Sequence, residues 1–179
     1  MRSFLSLLVL LSTFHHLVIA QATPARGDTI ATHYFLPQAD CASFPAAAKL
    51  RRYQETLLKD RRRFTPKKTQ IVKTEKALAQ ADLGRINSRP ANSYYAEYPV
   101  IIKEQLPKYK RQYYGFYNTE SQPCLFINFF IEDREESPNR VPSWLTDFRW
   151  TYDGGSAYWS VYYNLKTQKF YDFNHNVEG

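Results

Sequence analysis

Alternating and continuous apolar runs after residue 107 predict an antiparallel sheet. Strands are predicted at residues 109–117, 124–131, 148–152, 157–165 and 169–173, because each run is rich in aromatic or β-branched residues and ends at turn-forming or polar residues. The run 124–131 is apolar on both faces apart from Asn128, so we expect it at the centre of the sheet. Asp153, followed by Gly154 and Gly155, predicts the tight turn of a C-terminal meander.

In the segment that precedes these strands, apolar residues recur at the spacing of a helix. Ser43 is a predicted N-cap and Pro66 ends the predicted helix, whose last turn carries Arg61, Arg62 and Arg63. This arrangement predicts a basic helix over much of residues 43–65.

Two further segments extend the helical part. A second helix is predicted over 69–83, with Gly84 as the residue that follows its C-terminus. The segment 94–106 combines strand-like and helix-like features, and Pro99 and Pro107 favour a short helix. Residues 23–42 read as an extended mature N-terminus, in which Thr32–Leu36 is a short strand or an extended packing segment.

These elements predict an α+β fold in which N-terminal basic helices pack on an antiparallel sheet of four or five strands. The sheet ends in a C-terminal meander. One domain would span residues 43–179, with a helical part at 43–106 and a sheet part at 107–179.

The first 22 residues have the pattern of a signal peptide. Arg2 precedes an apolar run over 4–14, and Ala20 and Ala22 have the small side chains that signal peptidase requires. A buried N-terminal helix is the alternative interpretation. The run is too short to cross a bilayer, so no transmembrane span is expected in the mature chain. The sequence therefore predicts export and leaves open whether the protein is periplasmic or secreted.

Export changes the interpretation of the two cysteines. In an oxidising compartment Cys41 and Cys124 would most simply form one disulfide, which would join the start of the first helix to the central strand. A catalytic thiol is the alternative, and neither His33 nor His175 stands in a recognisable cysteine-protease context.

Positive charge is concentrated in one stretch of the chain. The whole sequence carries a net charge of +7, and residues 49–76 contain eleven Lys or Arg against three acidic residues. An exported protein would meet anionic lipid or glycan rather than nucleic acid, so these are the partners expected for this stretch. A solvated helix face explains the same charges without a partner.

Aromatic residues are concentrated in the sheet part, and exposed aromatics on a rigid sheet can bind a peptide or a sugar ring. Core packing is the alternative for any single ring. The predicted binding set combines this face with the arginines of the basic helix: Tyr113, Tyr117, Tyr158, Trp159, Tyr162, Arg61, Arg62 and Arg63.

No catalytic residue is assigned from the sequence, and neither a metal site nor a cofactor is expected. The leading hypothesis is an exported, non-enzymatic binding module for a protein or envelope partner, whose ligand and oligomeric state stay open. The alternative is a small exported hydrolase that uses Asp172, His175 or Glu132 at the sheet end. Attachment to an anionic envelope surface through the basic helix is a third hypothesis.

Several short motifs lie at residues 106–115, 127–130, 153–155, 158–161 and 164–165. Together they resemble a family of small exported bacterial proteins that carry no assigned function. The resemblance covers roughly residues 106–174 and leaves the helical part unmatched. It implies export and a bacterial origin, and it supplies no active-site residue.

Overall fold

The structure is a computed structural model that describes residues 30–50, 57–87, 95–132 and 139–176. The strands in these ranges are β1 (Thr32–Leu36), β2 (Ala39–Phe44), β3 (Arg63–Phe64), β4 (Lys110–Tyr117), β5 (Pro123–Phe130), β6 (Tyr158–Asn164) and β7 (Lys169–His175). The helices are α1 (Lys68–Gln80), α2 (Leu83–Ile86) and α3 (Tyr98–Glu104), with short 3-10 turns at Leu106–Lys108, Ser143–Leu145 and Gly155–Ala157. Within the described ranges no helix is both long and apolar enough to span a membrane.

The α+β class and the mostly antiparallel sheet are confirmed, but the sheet is wider than predicted. Its strand order is β1-β2-β4-β5-β6-β7, and β3 pairs with the end of β4. Every pair of these strands is antiparallel except β2 and β4, which are parallel. The sheet has seven strands in the described ranges rather than the predicted four or five, because residues before 65 contribute three of them.

Helices cover one face of the sheet, which we call the helix face. Ile71 and Leu78 of α1 and Ile102 of α3 belong to one buried cluster with the sheet residues Phe129 and Trp159. The rings of Phe129 and Trp159 stack with centroids 3.7 Å apart. Burying one Ile or Leu side chain stabilises the fold by about 1.5–3 kcal/mol, so Ile71 and Leu78 make a substantial contribution to holding α1 on the sheet.

Irregular segments cover the other face, which we call the loop face. Here Leu58, Trp144 and Leu145 pack on Phe126 and Phe130 of β5. Strand β5 is therefore buried from both sides between β4 and β6, which confirms the predicted central strand.

The strand predicted at 148–152 is wrong, because side chains from the sheet bind the backbone of this segment. Gln112 Oε1 accepts from Arg149 N at 2.9 Å, and Asn128 Nδ2 donates to Arg149 O at 2.8 Å. Gln112 Nε2 also donates to Trp144 O and Asp147 O, both at 2.7 Å. The backbone N–H and C=O of Arg149, at the start of this segment, are thus satisfied without a strand partner. The predicted hairpin turn at 153–155 is also wrong, because the described residues just before it form no strand, and Gly155 instead begins a 3-10 turn that leads into β6.

The basic helix predicted from Ser43 is not supported. Ser43 lies in β2, opposite Tyr113, and its Oγ donates to Pro66 O at 2.7 Å. Strand pairing therefore overrides its capping tendency. Arg63, a predicted residue of the last helical turn, lies in β3. Residues 51–56 lie outside the described ranges, and only Leu57 and Leu58 of the predicted helix have helical backbone among the described residues.

The later helices agree better with the prediction. Helix α1 covers most of 69–83 but ends at Gln80, and Gly84 belongs to α2, where Asp82 Oδ1 accepts from Gly84 N at 3.1 Å. Lys103 of α3 closes the α1 C-terminus by donating to the carbonyls of Leu78, Ala79 and Ala81 at 2.8–2.9 Å. The short helix favoured for 94–106 is present as α3.

The predicted disulfide is wrong, because both cysteines are buried and unpaired. In the strand register, Cys41 of β2 lies opposite Arg111 of β4, and Arg111 lies opposite Phe129 of β5. Phe129 is near the opposite end of β5 from Cys124. The two cysteines are thus separated by two strand spacings, or about 10 Å, and by about 16 Å along the strands. They also belong to the clusters on opposite faces of the sheet. A disulfide needs Cα atoms within roughly 7 Å of each other.

Candidate functional site

A pocket beside the β1–β2 turn is the candidate functional site. Its volume is about 260 Å³. The β1–β2 turn, α1 and the 3-10 turn before β4 surround it. Its lining is mostly apolar and consists of Leu36, Pro37, Gln38, Ala39, Val72, Glu75, Lys76, Ala79, Leu106, Pro107 and Arg111.

A buried ion pair forms part of this lining. Arg111 of β4 has a side chain only 1% exposed, and its Nε lies 3.2 Å from Oε1 of Glu75, whose side chain is 14% exposed. Nε makes no hydrogen bond, so its contact with the carboxylate is electrostatic. The other two guanidinium nitrogens donate to backbone carbonyls, Nη1 to Tyr109 and Nη2 to Leu106 at 2.8 Å. Arg111 therefore anchors both α1 and the 3-10 turn to the sheet.

Two more side chains converge on the same carboxylate oxygen. The Tyr113 hydroxyl donates to Glu75 Oε1, and Cys41 Sγ lies 4.0 Å from it. Burial, reinforced by the charge of Glu75, raises the pKa of Tyr113 and of the Cys41 thiol well above their ordinary values. Both groups stay protonated at neutral pH, so they act as donors to Glu75. A thiol in this state is a poor nucleophile.

The pocket therefore combines mostly apolar walls with one buried ion pair. Its walls offer apolar contact, and the side chains of Glu75 and Arg111 are held in fixed positions by packing, their ion pair and hydrogen bonds. Among the described residues, no group of three His, Cys, Asp or Glu side chains could hold a metal ion.

The predicted aromatic binding set does not form one surface. Tyr113, Tyr117 and Trp159 lie on the helix face, whereas Tyr158 and Tyr162 lie on the loop face, since paired residues across β4, β5 and β6 share a face. Tyr113 is 0% and Trp159 2% exposed. Tyr117, Tyr158 and Tyr162 are half-buried.

The three predicted arginines also differ in environment. Arg61 and Arg62 are exposed, and the Arg62 guanidinium lies 3.9 Å from the centre of the Tyr117 ring. Arg63 is half-buried and donates to Ala48 O at 2.7 Å and to Pro45 O at 3.4 Å. Arg63 thus holds the segment after β2 in place.

The structure does not bring the three residues of the hydrolase hypothesis together. Glu132 is paired with Arg149, beyond the end of β5. His175 is buried against the rings of Tyr98 and Phe173 on the helix face. Asp172 is exposed and lines a second pocket at the far end of β4, together with Arg61 and Tyr162.

Sequence reasoning missed Glu75 and Arg111. Two signals point to them in retrospect. Arg111 alternates with aromatic residues on the inward side of a predicted strand, and Glu75 is one of only three acidic residues in the basic stretch 49–76. A charge in an otherwise apolar row needs a buried partner of opposite charge.

Comparison with protein-family models, with curated proteins and with solved structures found no match for this chain. The resemblance to small exported proteins stays a prediction.

Proposed function

We propose that this protein is an exported, non-enzymatic binding module that holds a small, mostly apolar molecule in the pocket beside the β1–β2 turn. One observation carries the proposal: a cavity of about 260 Å³ has apolar walls and a few fixed polar groups. Small-molecule sites in proteins have this composition, because apolar walls supply affinity and a few polar groups fix orientation.

The charges of the lining favour a ligand with one anionic group. Glu75 and Arg111 neutralise each other. Lys76, which also lines the pocket, makes no ion pair or side-chain hydrogen bond with any residue that the structure describes. One positive charge is thus left for a ligand, so a short apolar carboxylate is the simplest chemical match.

This pocket replaces the aromatic sheet face as the proposed binding surface. Tyr113 and Trp159 are buried, and the remaining three aromatics of the predicted set are divided between the two faces. The role of Tyr113 in the proposal is to hold Glu75 in place rather than to touch the partner.

Binding of anilinonaphthalene sulfonate, an aromatic probe with one negative charge, tests the proposal by fluorescence. Ala79 lines the pocket, so Ala79→Phe is expected to fill it and to abolish the fluorescence increase. Gln80→Phe is the matched control, because Gln80 is the next residue of α1, is exposed and does not line the pocket. Equal probe binding by both variants would overturn the proposal.

A competition experiment tests the ligand chemistry. Octanoate is expected to displace the probe from the wild-type protein, and Lys76→Gln is expected to weaken octanoate about fivefold to tenfold. Octanol should displace the probe equally well from both proteins. If Lys76→Gln leaves octanoate binding unchanged, Lys76 does not bind the carboxylate, and the proposal of an anionic ligand is wrong.

Export is part of the proposal and rests on residues 1–22. The cysteines no longer support it, since no disulfide forms between them. Expression of the full chain in a bacterial host with a periplasm, followed by mass spectrometry, tests it. A mature N-terminus near residue 21 or 23 in the exported fraction is expected, and an uncleaved chain in the cytoplasm would contradict it.

A further inference from the structure

A second pocket lies at the opposite end of β4 from the first and on the other side of the sheet. Its volume is about 280 Å³. Phe116, Asn118 and Thr119 contribute to it from the end of β4, and Tyr171 and Asp172 contribute from β7. Whereas apolar residues dominate the first pocket, this one is lined mainly by polar and aromatic side chains.

Two opposite charges line this pocket without a partner. In the described part of the chain, neither the Arg61 guanidinium nor the Asp172 carboxylate has an ion-pair or side-chain hydrogen-bond partner. Two unpaired groups of opposite sign in one small cavity can each bind a complementary group of a single ligand. A ligand that carries one anionic and one cationic group would satisfy both.

The backbone presents Asp172 to the pocket through an irregularity in β7. The register between β6 and β7 shifts between Ser160 and Tyr162, which makes a β-bulge at residues 172 and 173. Asp172 has a φ of 51°, in the left-handed region that few residues other than glycine adopt. Bulges change the direction of a side chain relative to the regular strand.

Aromatic rings make a rigid wall beside the two charges. Tyr162 and Tyr171 stack with centroids 5.3 Å apart, and Phe116 meets Tyr162 edge-on at 5.7 Å. Burial raises the pKa of the Tyr171 hydroxyl above its ordinary value, so this side of the pocket is uncharged at neutral pH. The turn after β4 is also fixed, since Asn118 Oδ1 accepts from Gln122 N at 2.8 Å.

We propose that this second pocket binds a free α-amino acid. Arg61 receives the carboxylate, Asp172 receives the ammonium group, and the Tyr162–Tyr171 wall contacts the side chain. The site is separate from the first pocket and independent of the function proposed for it.

Titration calorimetry on the purified protein with glycine, L-alanine, L-phenylalanine and L-glutamate tests this inference. We expect L-phenylalanine to bind, because the wall is aromatic. N-acetyl-L-phenylalanine lacks the ammonium group and L-phenylalaninamide lacks the carboxylate, so each should bind at least about tenfold more weakly. Lack of binding by all four amino acids at about 10 mM, or equal binding of either derivative, overturns the proposal.

Three variants locate the site. Arg61→Gln and Asp172→Asn should each weaken binding about tenfold. Asparagine tolerates the backbone of residue 172, so the fold is retained. Arg62→Gln is the matched control, because Arg62 is exposed and packs on Tyr117 outside the pocket. Equal losses in Arg61→Gln and Arg62→Gln overturn the proposal.

Two further results would assign the binding elsewhere. Loss of amino-acid binding in Ala79→Phe would place the ligand in the first pocket. Binding of inorganic phosphate that depends on Arg61 but not on Asp172, without amino-acid binding, would show a simple anion site. Each of these results overturns the proposal.

Discussion

The ion pair between Glu75 and Arg111 offers the sharpest test of how α1 is held on the sheet. Three variants are needed: Glu75→Gln, Arg111→Met and the double variant. Gln keeps an acceptor for the Tyr113 hydroxyl and removes only the charge, and Met keeps most of the arginine's apolar volume. The comparison therefore isolates the electrostatic coupling between the two side chains.

The two single variants should not cost the same. Glu75→Gln leaves a guanidinium that is 1% exposed with no anionic partner, and such changes lower the free energy of unfolding by about 3–5 kcal/mol. Arg111→Met leaves Glu75, which is 14% exposed and keeps the Tyr113 hydrogen bond, so a loss of about 2 kcal/mol is expected. The double variant removes both charges and should lose about 2–3 kcal/mol, which corresponds to a coupling of about 3 kcal/mol.

Urea unfolding followed by tryptophan fluorescence measures these differences. A loss of about 4 kcal/mol lowers the unfolding midpoint by about 2 M when the slope is about 2 kcal/mol per M. Glu104→Gln is the control, because Glu104 is an exposed acid on α3, and it should stay within about 0.5 kcal/mol of the wild type. The reasoning fails if Glu75→Gln is as stable as this control, or if the double variant loses the sum of the two single losses.

Four further predictions follow from other contacts. Lys103→Met removes the ammonium group that closes the C-terminus of α1, so thermal unfolding should show a loss of about 1–2 kcal/mol, whereas Lys73→Met on the exposed side of α1 should show none. Gln112→Leu leaves the carbonyls of Trp144 and Asp147 without their donor, and urea unfolding should show a loss of about 3 kcal/mol; a loss below about 1 kcal/mol would contradict this role. Burial and the Glu75 charge raise the pKa of Tyr113 above that of an unfolded tyrosine, so the stability that the protonated hydroxyl contributes is present below about pH 10 and is lost as the pH rises further. The difference in the free energy of unfolding between wild type and Tyr113→Phe should therefore shrink by about 1.4 kcal/mol from pH 9 to pH 11. A difference that stays constant over this range would refute the prediction. Thiol titration of the unreduced, denatured protein should find both Cys41 and Cys124 reactive, and an unreactive pair would restore the disulfide.

Local pattern was sufficient for most of the regular elements. Runs of aromatic and β-branched residues that end at turn-forming or polar residues predicted β4, β5, β6 and β7 within a few residues. Proline positions identified α3, and helical spacing identified α1. The centre of the sheet followed from the run of apolar residues in β5, since only a strand covered on both sides has such a run.

Long-range contacts decided what local pattern missed. Ser43 has the residue type of an N-cap, but its position opposite Tyr113 in a parallel pair makes it part of a strand. Residues 148–152 have the composition of a strand, but Gln112 and Asn128 satisfy the backbone of Arg149. Neither outcome is visible locally, because each depends on residues more than twenty positions away in the chain.

The candidate site depended still more on tertiary structure. Glu75 and Arg111 come from different elements and meet only because α1 packs on the helix face. Predicted export to an oxidising compartment suggested a disulfide between the two cysteines, whereas the register of β2, β4 and β5 puts them on opposite faces of the sheet. Period and composition are properties of neighbouring residues, so they were enough to predict β4 to β7, α1 and α3, but neither β2 nor β3. Register and packing depend on residues that are distant in the chain and bury apolar surface against one another, so the two pockets could be found only from the packed fold.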